Sequence, residues 1–218
     1  MGLGEYLPFW NRLTQQERET LKNATTIRNA PKGTILHNGS ADCVGLFVVK
    51  SGQLRAYIVS DEGKEITLYR LLERDICLFS AACMMASIRF EITVEAERDS
   101  EIWVIPTEVY HSIMDQSAVL ANYTSQILAS RFSEVMWLMD QILFKRFDAR
   151  LATFLLEEST IEDSDSLQIT HERIANHMGT AREVVTRMLK YFQAEGMVSL
   201  TRGGVTLTDR EKLTNMAG

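Results

Sequence analysis

Residues 170–192 read THERIANHMGTAREVVTRMLKYF, and this stretch decides the fold of the C-terminal part of the chain. Thr170 is a favourable N-cap for a first short helix. Gly179 then stands where a residue in left-handed conformation ends a helix. Thr180, followed three residues later by Glu183, has the capping-box pattern, which predicts that a second helix begins at once. Two short helices joined through a glycine turn are the helix-turn-helix arrangement.

The second of these helices has two separate faces when it is projected at about 100° per residue. The inner face is apolar and consists of Val185, Met188, Leu189 and Phe192. The outer face is polar and consists of Arg182, Glu183, Thr186, Arg187 and Lys190. Arginine can donate two hydrogen bonds to guanine, glutamate can accept one from cytosine, and lysine and threonine suit phosphates. The outer face therefore carries the groups that a major-groove reader needs.

A hairpin follows the two helices. The runs at 198–200 and 205–207 flank the turn residues Arg202, Gly203 and Gly204, which is a strong hairpin signal. The alternative is an ordinary solvated helix face with intrahelical ion pairs, such as Glu183 with Arg187, but the hairpin wing beside the helix-turn-helix favours DNA binding. The predicted DNA-binding residues are Thr170, His171, Thr180, Arg182, Glu183, Thr186, Arg187, Lys190 and Arg202.

The region from residue 27 to residue 106 has a different pattern of residues. It consists of short β-branched and aromatic runs at 34–36, 45–49, 54–59, 66–69, 92–94 and 102–105, with glycines between them. Strand and turn signals at this spacing predict a β-sandwich or β-roll. A short helix precedes this region at 13–24, with a capping box formed by Thr14 and Glu17.

Between the two regions the apolar residues follow a helical period from Met114 to Phe144, which predicts one helix of about thirty residues, roughly 45 Å long. Its extra apolar face, which includes Met136, Trp137, Met139 and Leu143, is expected to pack on a second copy of the chain. The alternative is packing within the protomer. The residues predicted for the dimer helix are Leu120, Ile127, Leu138 and Ile142.

Composition limits the class of protein. The chain has 218 residues, 45% of them hydrophobic, and a net charge of −6, so it is globular and any positive charge for DNA binding must be local. Cys43, Cys77 and Cys83 lack a CxxC pair, which excludes a disulfide framework or a standard zinc site. No apolar run is long enough for a membrane span. We expect a cytoplasmic protein, and the absence of catalytic motifs predicts that it is not an enzyme.

Several motifs together resemble the bacterial Crp-Fnr family of transcription regulators over nearly the entire chain. They are KGTI at 32–35, SGQL at 51–54, EGKE at 62–65, RLATFLL at 150–156 and GTAREVVTR at 179–187. The resemblance implies an α+β chain in three parts. These are a cyclic-nucleotide-binding-like β-roll or jelly roll at 1–112, a long dimerisation helix at 113–145 and a winged helix-turn-helix at 146–218.

The same resemblance implies a homodimer that places its recognition helices in successive major grooves, about 34 Å apart, on a near-palindromic site in double-stranded DNA. Arg182 and Arg187 would contact guanines and Glu183 a cytosine, so that the half-site resembles TGTGA. An activator of this kind would also contact RNA polymerase. The alternative function is a cyclic-nucleotide-binding regulatory protein that acts on a protein partner.

The predicted effector pocket departs from the cyclic-nucleotide-binding pattern. Leu78 and Phe79 stand where that pattern has a Gly-Glu pair, and Phe90 where it has the phosphate arginine. Arg89 is adjacent, but a shift of one residue on a strand turns a side chain to the other face. We therefore expect an effector other than cAMP. The predicted pocket residues are Cys77, Leu78, Phe79, Cys83, Met84, Arg89 and Phe90.

The apolar pocket suits a small hydrophobic ligand, and the alternative is that these residues form solid core. Cys77 and Cys83 could also act as redox-sensitive thiols. An iron–sulfur cluster needs four cysteine ligands and the chain has three. His171 and His177 are six residues apart and miss the spacing of a helical metal pair, so no metal or cluster is expected and these histidines should have surface or structural roles.

Overall fold

A computed structural model of the chain describes residues 2–39, 44–78 and 91–218. The chain divides into two compact units. The first consists of Met1–Val59 with Leu68–Val135, and the second of Ser60–Thr67 with Met136–Gly218. None of the helices in the described ranges is long and apolar enough to cross a membrane.

The first unit is built on two four-stranded sheets, with strand orders β1-β8-β3-β6 and β2-β7-β4-β5, and the residues of β5 up to Thr67 are counted with the second unit. The strands are β1 (Thr26–Ala30), β2 (Ile35–Asn38), β3 (Leu46–Ser51), β4 (Leu54–Val59), β5 (Glu65–Leu71), β6 (Ile76–Cys77), β7 (Thr93–Ala96) and β8 (Ser100–Ile105). The central β3 and β8 pair antiparallel, with Val48 opposite Trp103. The predicted β-roll is confirmed, and β1 and β6 are strands that the sequence pattern missed.

The β-strands form because their side chains are buried. Phe47, Val49, Leu54 and Ile102 all lie in one core cluster and are fully buried. The turn between β3 and β4 requires glycine, because Gly52 has a φ of 89° and a Cβ there would collide with Ser100 and the Asp99 carbonyl. Burial of these side chains thus stabilises the strands, and the glycine turn sets how β3 leads into β4.

Short helices precede the sheets. Two 3-10 turns, Leu3–Glu5 and Trp10–Arg12, lead to α1 (Gln15–Ala24). Thr14 Oγ1 accepts a hydrogen bond from the Glu17 N–H, and the Glu17 carboxylate accepts one from the Thr14 N–H at 2.7 Å. The predicted capping box is confirmed.

The predicted thirty-residue helix is wrong at its start. The structure has two helices here, α2 (Thr107–Gln116) and α3 (Ala118–Phe144). Ser117 separates them because its backbone is extended, with φ −116° and ψ 103°. Ile113 therefore belongs to α2. The α3 helix has 27 residues and spans about 40 Å at 1.5 Å per residue.

The first half of α3 packs on its own unit. Leu120 is fully buried in a core cluster with Tyr110 and Ile113, and Ile127 packs against the same cluster. The expectation that Leu120 lies on a dimer surface is therefore wrong, because its own unit covers it. Ile127 is half-buried, and its place on a dimer surface stays a prediction.

The second half of α3 exposes its apolar side chains. Phe132, Trp137, Leu143 and Phe144 are 67%, 50%, 65% and 78% exposed. Of the predicted dimer residues, Ile142 is 41% exposed and Leu138 is partly exposed. An apolar surface therefore begins near the middle of the helix.

The second unit carries the remaining elements. They are α4 (Phe147–Glu162), β9 (Ser166–Leu167), α5 (His171–Met178), α6 (Arg182–Ala194), β10 (Val198–Thr201), β11 (Gly204–Leu207) and α7 (Arg210–Ala217). The three strands form an antiparallel sheet in the order β10-β11-β9. One core cluster joins the helices, with Leu151, Ile174, Leu189 and Phe192 at its centre.

The acidic residues between α4 and β9 are held in place by hydrogen bonds. Asp163 ends α4 in left-handed conformation, with a φ of 49°. The Asp165 carboxylate accepts a hydrogen bond from Ser159 Oγ at 2.8 Å and another from the Arg210 guanidinium. These bonds tie α4, β9 and α7 together, so the segment is a structured turn.

Candidate nucleic-acid interface

The first helix of the predicted motif begins and ends as its sequence indicates. Thr170 Oγ1 accepts a hydrogen bond from the Arg173 N–H at 3.1 Å, which caps α5. Gly179 follows the helix with a φ of 66°. A Cβ at Gly179 would lie 3.0 Å from Ile66 Cδ1, which belongs to the same unit. Both backbone conformation and packing therefore favour glycine here.

The start of the second helix differs from the prediction. The N-cap of α6 is Ala181, which makes no side-chain cap, so the predicted capping box of Thr180 with Glu183 is wrong. The reason lies in the turn: the Thr180 N–H donates to the Ala175 carbonyl at 3.1 Å and so completes the end of α5. The helix α6 begins at Arg182, and Glu183 lies exposed in its first turn.

The two faces of α6 are separated as the helical projection predicts. Val185, Leu189 and Phe192 are fully buried. The opposite side chains line a shallow concave surface and consist of Arg182, Glu183, Thr186, Arg187 and Lys190. Three cationic groups, one carboxylate and one hydroxyl thus lie together, which gives hydrogen-bond donors and acceptors for base edges as well as charge for phosphates.

A hydrogen bond links the two helices at this surface. His171 Nδ1 and Thr186 Oγ1 are 2.9 Å apart. Burial lowers the pKa of His171 below its usual value, and the nearby charges of Arg182 and Lys190 lower this pKa further. The imidazole therefore favours its neutral form in the free protein.

Sequence reasoning missed a residue that supports the turn. Arg150 on α4 donates a hydrogen bond from Nη2 to the Met178 carbonyl at 3.1 Å, and burial lowers the pKa of its guanidinium. Arg150 thus ties the end of α5 to α4.

His177 is buried, with Nδ1 at 2.8 Å from Thr67 Oγ1, so it has the structural role that was expected.

The other predicted contact residues lie at the ends of α5 and on the hairpin. Thr170 and Thr180 stand at the two ends of α5, and Thr170 is exposed while Thr180 is half-buried. Arg202 is exposed at the turn between β10 and β11, where Gly203 has a φ of 83°. The predicted hairpin wing is confirmed, and Arg202 lies at its tip.

The predicted effector pocket is described only in part. Cys77 and Leu78 are buried, at 0% and 2% exposure, and belong to core clusters of the first unit. Phe79, Cys83, Met84, Arg89 and Phe90 lie outside the described residues. The two described positions are core residues, and the predicted pocket itself stays a prediction.

A polar cluster that the sequence did not predict lies near Cys77. The guanidinium of Arg131, on the first-unit part of α3, lies 4.6 Å from the centre of the Tyr69 ring. Arg131 Nη1 also donates to both carboxylate oxygens of Glu134, at 2.9 and 2.7 Å. Burial raises the pKa of Tyr69 well above its usual value. In sequence, the only sign of this cluster is an arginine within an apolar helix.

Within residues 2–39, 44–78 and 91–218, no group of three or more His, Cys, Asp or Glu side chains is placed to hold a metal ion.

Comparisons with known proteins agree with this architecture. A family model of the cyclic nucleotide-binding domain matches residues 27–117, and one of the Crp-like helix-turn-helix domain matches residues 149–216. A chain from Eubacterium rectale, whose crystal structure is described as a transcriptional regulator of the Crp/Fnr family, is 54% identical. That match covers 98% of this chain and 99% of the other, with a TM-score of 0.95.

More distant relatives share the same architecture. The fumarate and nitrate reduction regulatory protein of Escherichia coli is 26% identical over 97% of this chain and 86% of its own. A transcriptional regulator of the CRP/FNR family from Thermus thermophilus is 21% identical and shares the fold, with a TM-score of 0.73 over 88% of this chain and 98% of that one. The predicted resemblance is confirmed, and none of these matches supports a regulator that acts on a protein partner. The chain belongs to the Crp/Fnr family of transcription regulators, which bind DNA through a helix-turn-helix domain.

Proposed function

We propose that the chain is a homodimeric, non-enzymatic regulator that reads a near-palindromic DNA site with α6 of each protomer, in the bacterial cytoplasm. The observation that carries the proposal is the exposed face of α6, where three cationic side chains surround Glu183 and Thr186. In this reading Arg182 and Arg187 donate to guanines, Glu183 accepts from a cytosine, and the half-site resembles TGTGA.

A second set of contacts, which includes Lys190 of α6, would position the protein on the DNA backbone. Thr170 and Thr180 flank the first helix of the motif and His171 begins it, and this helix crosses the backbone in helix-turn-helix proteins. Lys190 and Arg202 are exposed cations on α6 and on the wing. Such groups neutralise phosphates and contribute affinity that does not depend on the base sequence.

The exposed half of α3 supports the dimer. Its large apolar side chains, from Phe132 to Phe144, lie at up to 78% exposure in the single protomer. Large contiguous apolar patches mark interaction surfaces, and a second α3 offers the same pattern in return. A transcription activator with this architecture would also contact RNA polymerase.

The effector is proposed to differ from cAMP. The support is the sequence of the pocket segment, where Leu78 and Phe79 replace the Gly-Glu pair of cyclic-nucleotide-binding members. Leu78 is buried in apolar core, which offers no group for a ribose hydroxyl. A thermal-shift titration with cAMP should leave the melting temperature unchanged, and stabilisation at micromolar cAMP would contradict this part of the proposal.

Selection of binding sites from a randomised duplex library tests the DNA-reading role. The full-length protein should enrich inverted repeats whose half-sites resemble TGTGA, with affinity that falls steeply as the salt concentration rises. Glu183→Ala should relax the preference at one position of each half-site. Enrichment of unrelated half-sites, or an unchanged preference in Glu183→Ala, would contradict the assigned contacts.

Sedimentation equilibrium tests the dimer. Leu143→Asp places a charge on the exposed apolar surface of α3 and should convert the dimer to monomer. Leu72→Asp is the matched control, because Leu72 is also exposed, at 43%, but lies outside α3. Equal dimer dissociation constants for both variants would rule out this surface as the interface.

A further inference from the structure

The hydrogen bond between His171 and Thr186 places an imidazole beside a hydroxyl on the outer face of α6. His171 is the first residue of α5, and its Nδ1 lies 2.9 Å from Oγ1 of Thr186 on α6. Thr186 is half-buried, while Arg182, Glu183 and Lys190 around it are exposed. The hydroxyl is therefore held by the protein before DNA arrives.

The protonation of Nδ1 decides what this hydroxyl can offer to DNA. A hydroxyl has one proton and two acceptor lone pairs. If Nδ1 has no proton, Thr186 must donate its proton to Nδ1, and the hydroxyl can then only accept. If Nδ1 carries a proton, it donates to Oγ1 and the hydroxyl proton is free to be donated to a base.

The expected position of the DNA backbone selects between these two arrangements. The first helix of a helix-turn-helix crosses the backbone, which brings a phosphate toward His171. Phosphate oxygens only accept hydrogen bonds, so Nε2 must carry a proton to bind one. In a neutral imidazole the proton on Nε2 leaves Nδ1 without one, and Thr186 becomes an acceptor.

The charged groups that act on the imidazole favour this neutral form. Arg182 and Lys190 reach it from α6, and its neighbours on α5 are Glu172 and Arg173. The two cations and burial lower the pKa of His171. An approaching phosphate acts in the opposite direction, because a negative charge stabilises the imidazolium.

We propose that His171 is a positioning residue that makes the Thr186 hydroxyl a hydrogen-bond acceptor toward the DNA base edge, and that protonation of the imidazole converts the hydroxyl to a donor. This inference rests on the proposed role of α6 as the reading helix. An acceptor selects adenine or cytosine, which present amino groups in the major groove. A donor can bind guanine at O6 or N7, thymine at O4 and adenine at N7, so it discriminates against cytosine and no longer against guanine or thymine.

The test measures affinities by fluorescence anisotropy for duplexes with each of the four bases at every half-site position. At about pH 7.5, where histidine is mostly neutral, the wild type should prefer adenine or cytosine at one position. The preference should be about threefold to tenfold, as expected for one hydrogen bond. Thr186→Val should lose this preference and keep those at the other positions.

The His171→Leu variant isolates the role of the imidazole. The released hydroxyl can rotate and either donate or accept, so the preference at the same position should fall to within about twofold. His111→Leu is the matched control, because His111 is an exposed histidine on α2 that pairs with Asp115. It should leave every base preference unchanged.

A change of pH on the wild type gives an independent readout. As the pH is lowered in steps from about 6.5, the imidazole takes up a proton once its lowered pKa is passed. The preference at that position should then move toward guanine or thymine, and Thr186→Val should show no such movement. The pH experiment tests the role of His171 even if His171→Leu fails to fold.

Two outcomes would overturn the inference. His171→Leu could weaken binding to all duplexes by one factor while the base preference persists, which would make His171 a phosphate contact only. Thr186→Val could also leave every preference intact while the wild type still reads sequence. If the wild type shows no base preference at any position, the proposed DNA-reading function itself fails, and the two failures are thereby distinguished.

Discussion

The helix α6 has only thirteen residues, yet its inner and outer faces have different roles. The inner face, with Val185, Leu189 and Phe192 fully buried, attaches the helix to the core of its unit. The outer face, with Arg182, Arg187 and Lys190 exposed, makes no contribution to that core. Stability and the proposed DNA recognition therefore lie on opposite sides of one helix and should be separable by mutation.

The largest expected effect is a loss of stability from the inner face. Phe192→Ala removes a fully buried ring and should lower the free energy of unfolding by about 3–5 kcal/mol, because it leaves a cavity in the core. Chemical denaturation measures this effect. Tyr191→Ala is the control, since Tyr191 is 45% exposed. Similar losses of unfolding free energy in the two variants would show that the two faces do not differ in their contribution to stability.

The next effect is a loss of DNA affinity from the outer face. Arg187→Ala should weaken binding to the selected site by about 1–3 kcal/mol, because a bidentate contact to guanine is lost. Its melting temperature should match that of the wild type. Arg12→Ala removes another exposed arginine, from the first unit, and should leave DNA affinity unchanged. An equal loss of DNA affinity in the two variants would show that affinity depends only on the total positive charge of the protein.

A smaller and different effect is expected for Lys190. Lys190→Ala should weaken binding about equally for all sequences and reduce the salt-dependence slope by about 1, because one phosphate contact is lost. Titrations at several salt concentrations on specific and unrelated duplexes measure this slope. A change confined to the specific duplex would assign Lys190 to base reading instead.

The smallest expected effect is the pH dependence of stability through His171. Burial and the nearby cations lower its pKa in the folded protein, so the unfolded chain binds more protons in this range. Stability should be unaffected above about pH 6.5, the unfolded value, and should fall as the pH drops from there to the folded pKa. Melting temperatures of wild type and His171→Leu across this range measure the contribution. A steeper decline in His171→Leu than in the wild type would reverse the assigned sign.

Both faces of α6 could be predicted from the sequence, because helical period and charge are local properties. The cap of α6 could not, because Thr180 has the right spacing to Glu183 while its N–H group completes the preceding helix. A pattern of residue types does not reveal which of two adjacent helices takes a shared turn residue.

The break at Ser117 shows a second limit of prediction. Ile113 and Leu120, on either side of it, enter the same core cluster, so the apolar period continues across a break in the backbone. Long-range pairs such as Arg131 over Tyr69 were also missed. The two residues are distant in the chain and meet only through tertiary packing.

The short connection at Gly179 has a consequence for regulation. Three residues separate α5 from α6, the glycine among them is fixed by backbone and packing, and the bond between His171 and Thr186 joins the helices again. These contacts hold α5 and α6 in a fixed arrangement. In the proposed dimer, an effector would then change how two such helix pairs are spaced along DNA, and so tune occupancy, without changing which bases each pair reads at a given pH.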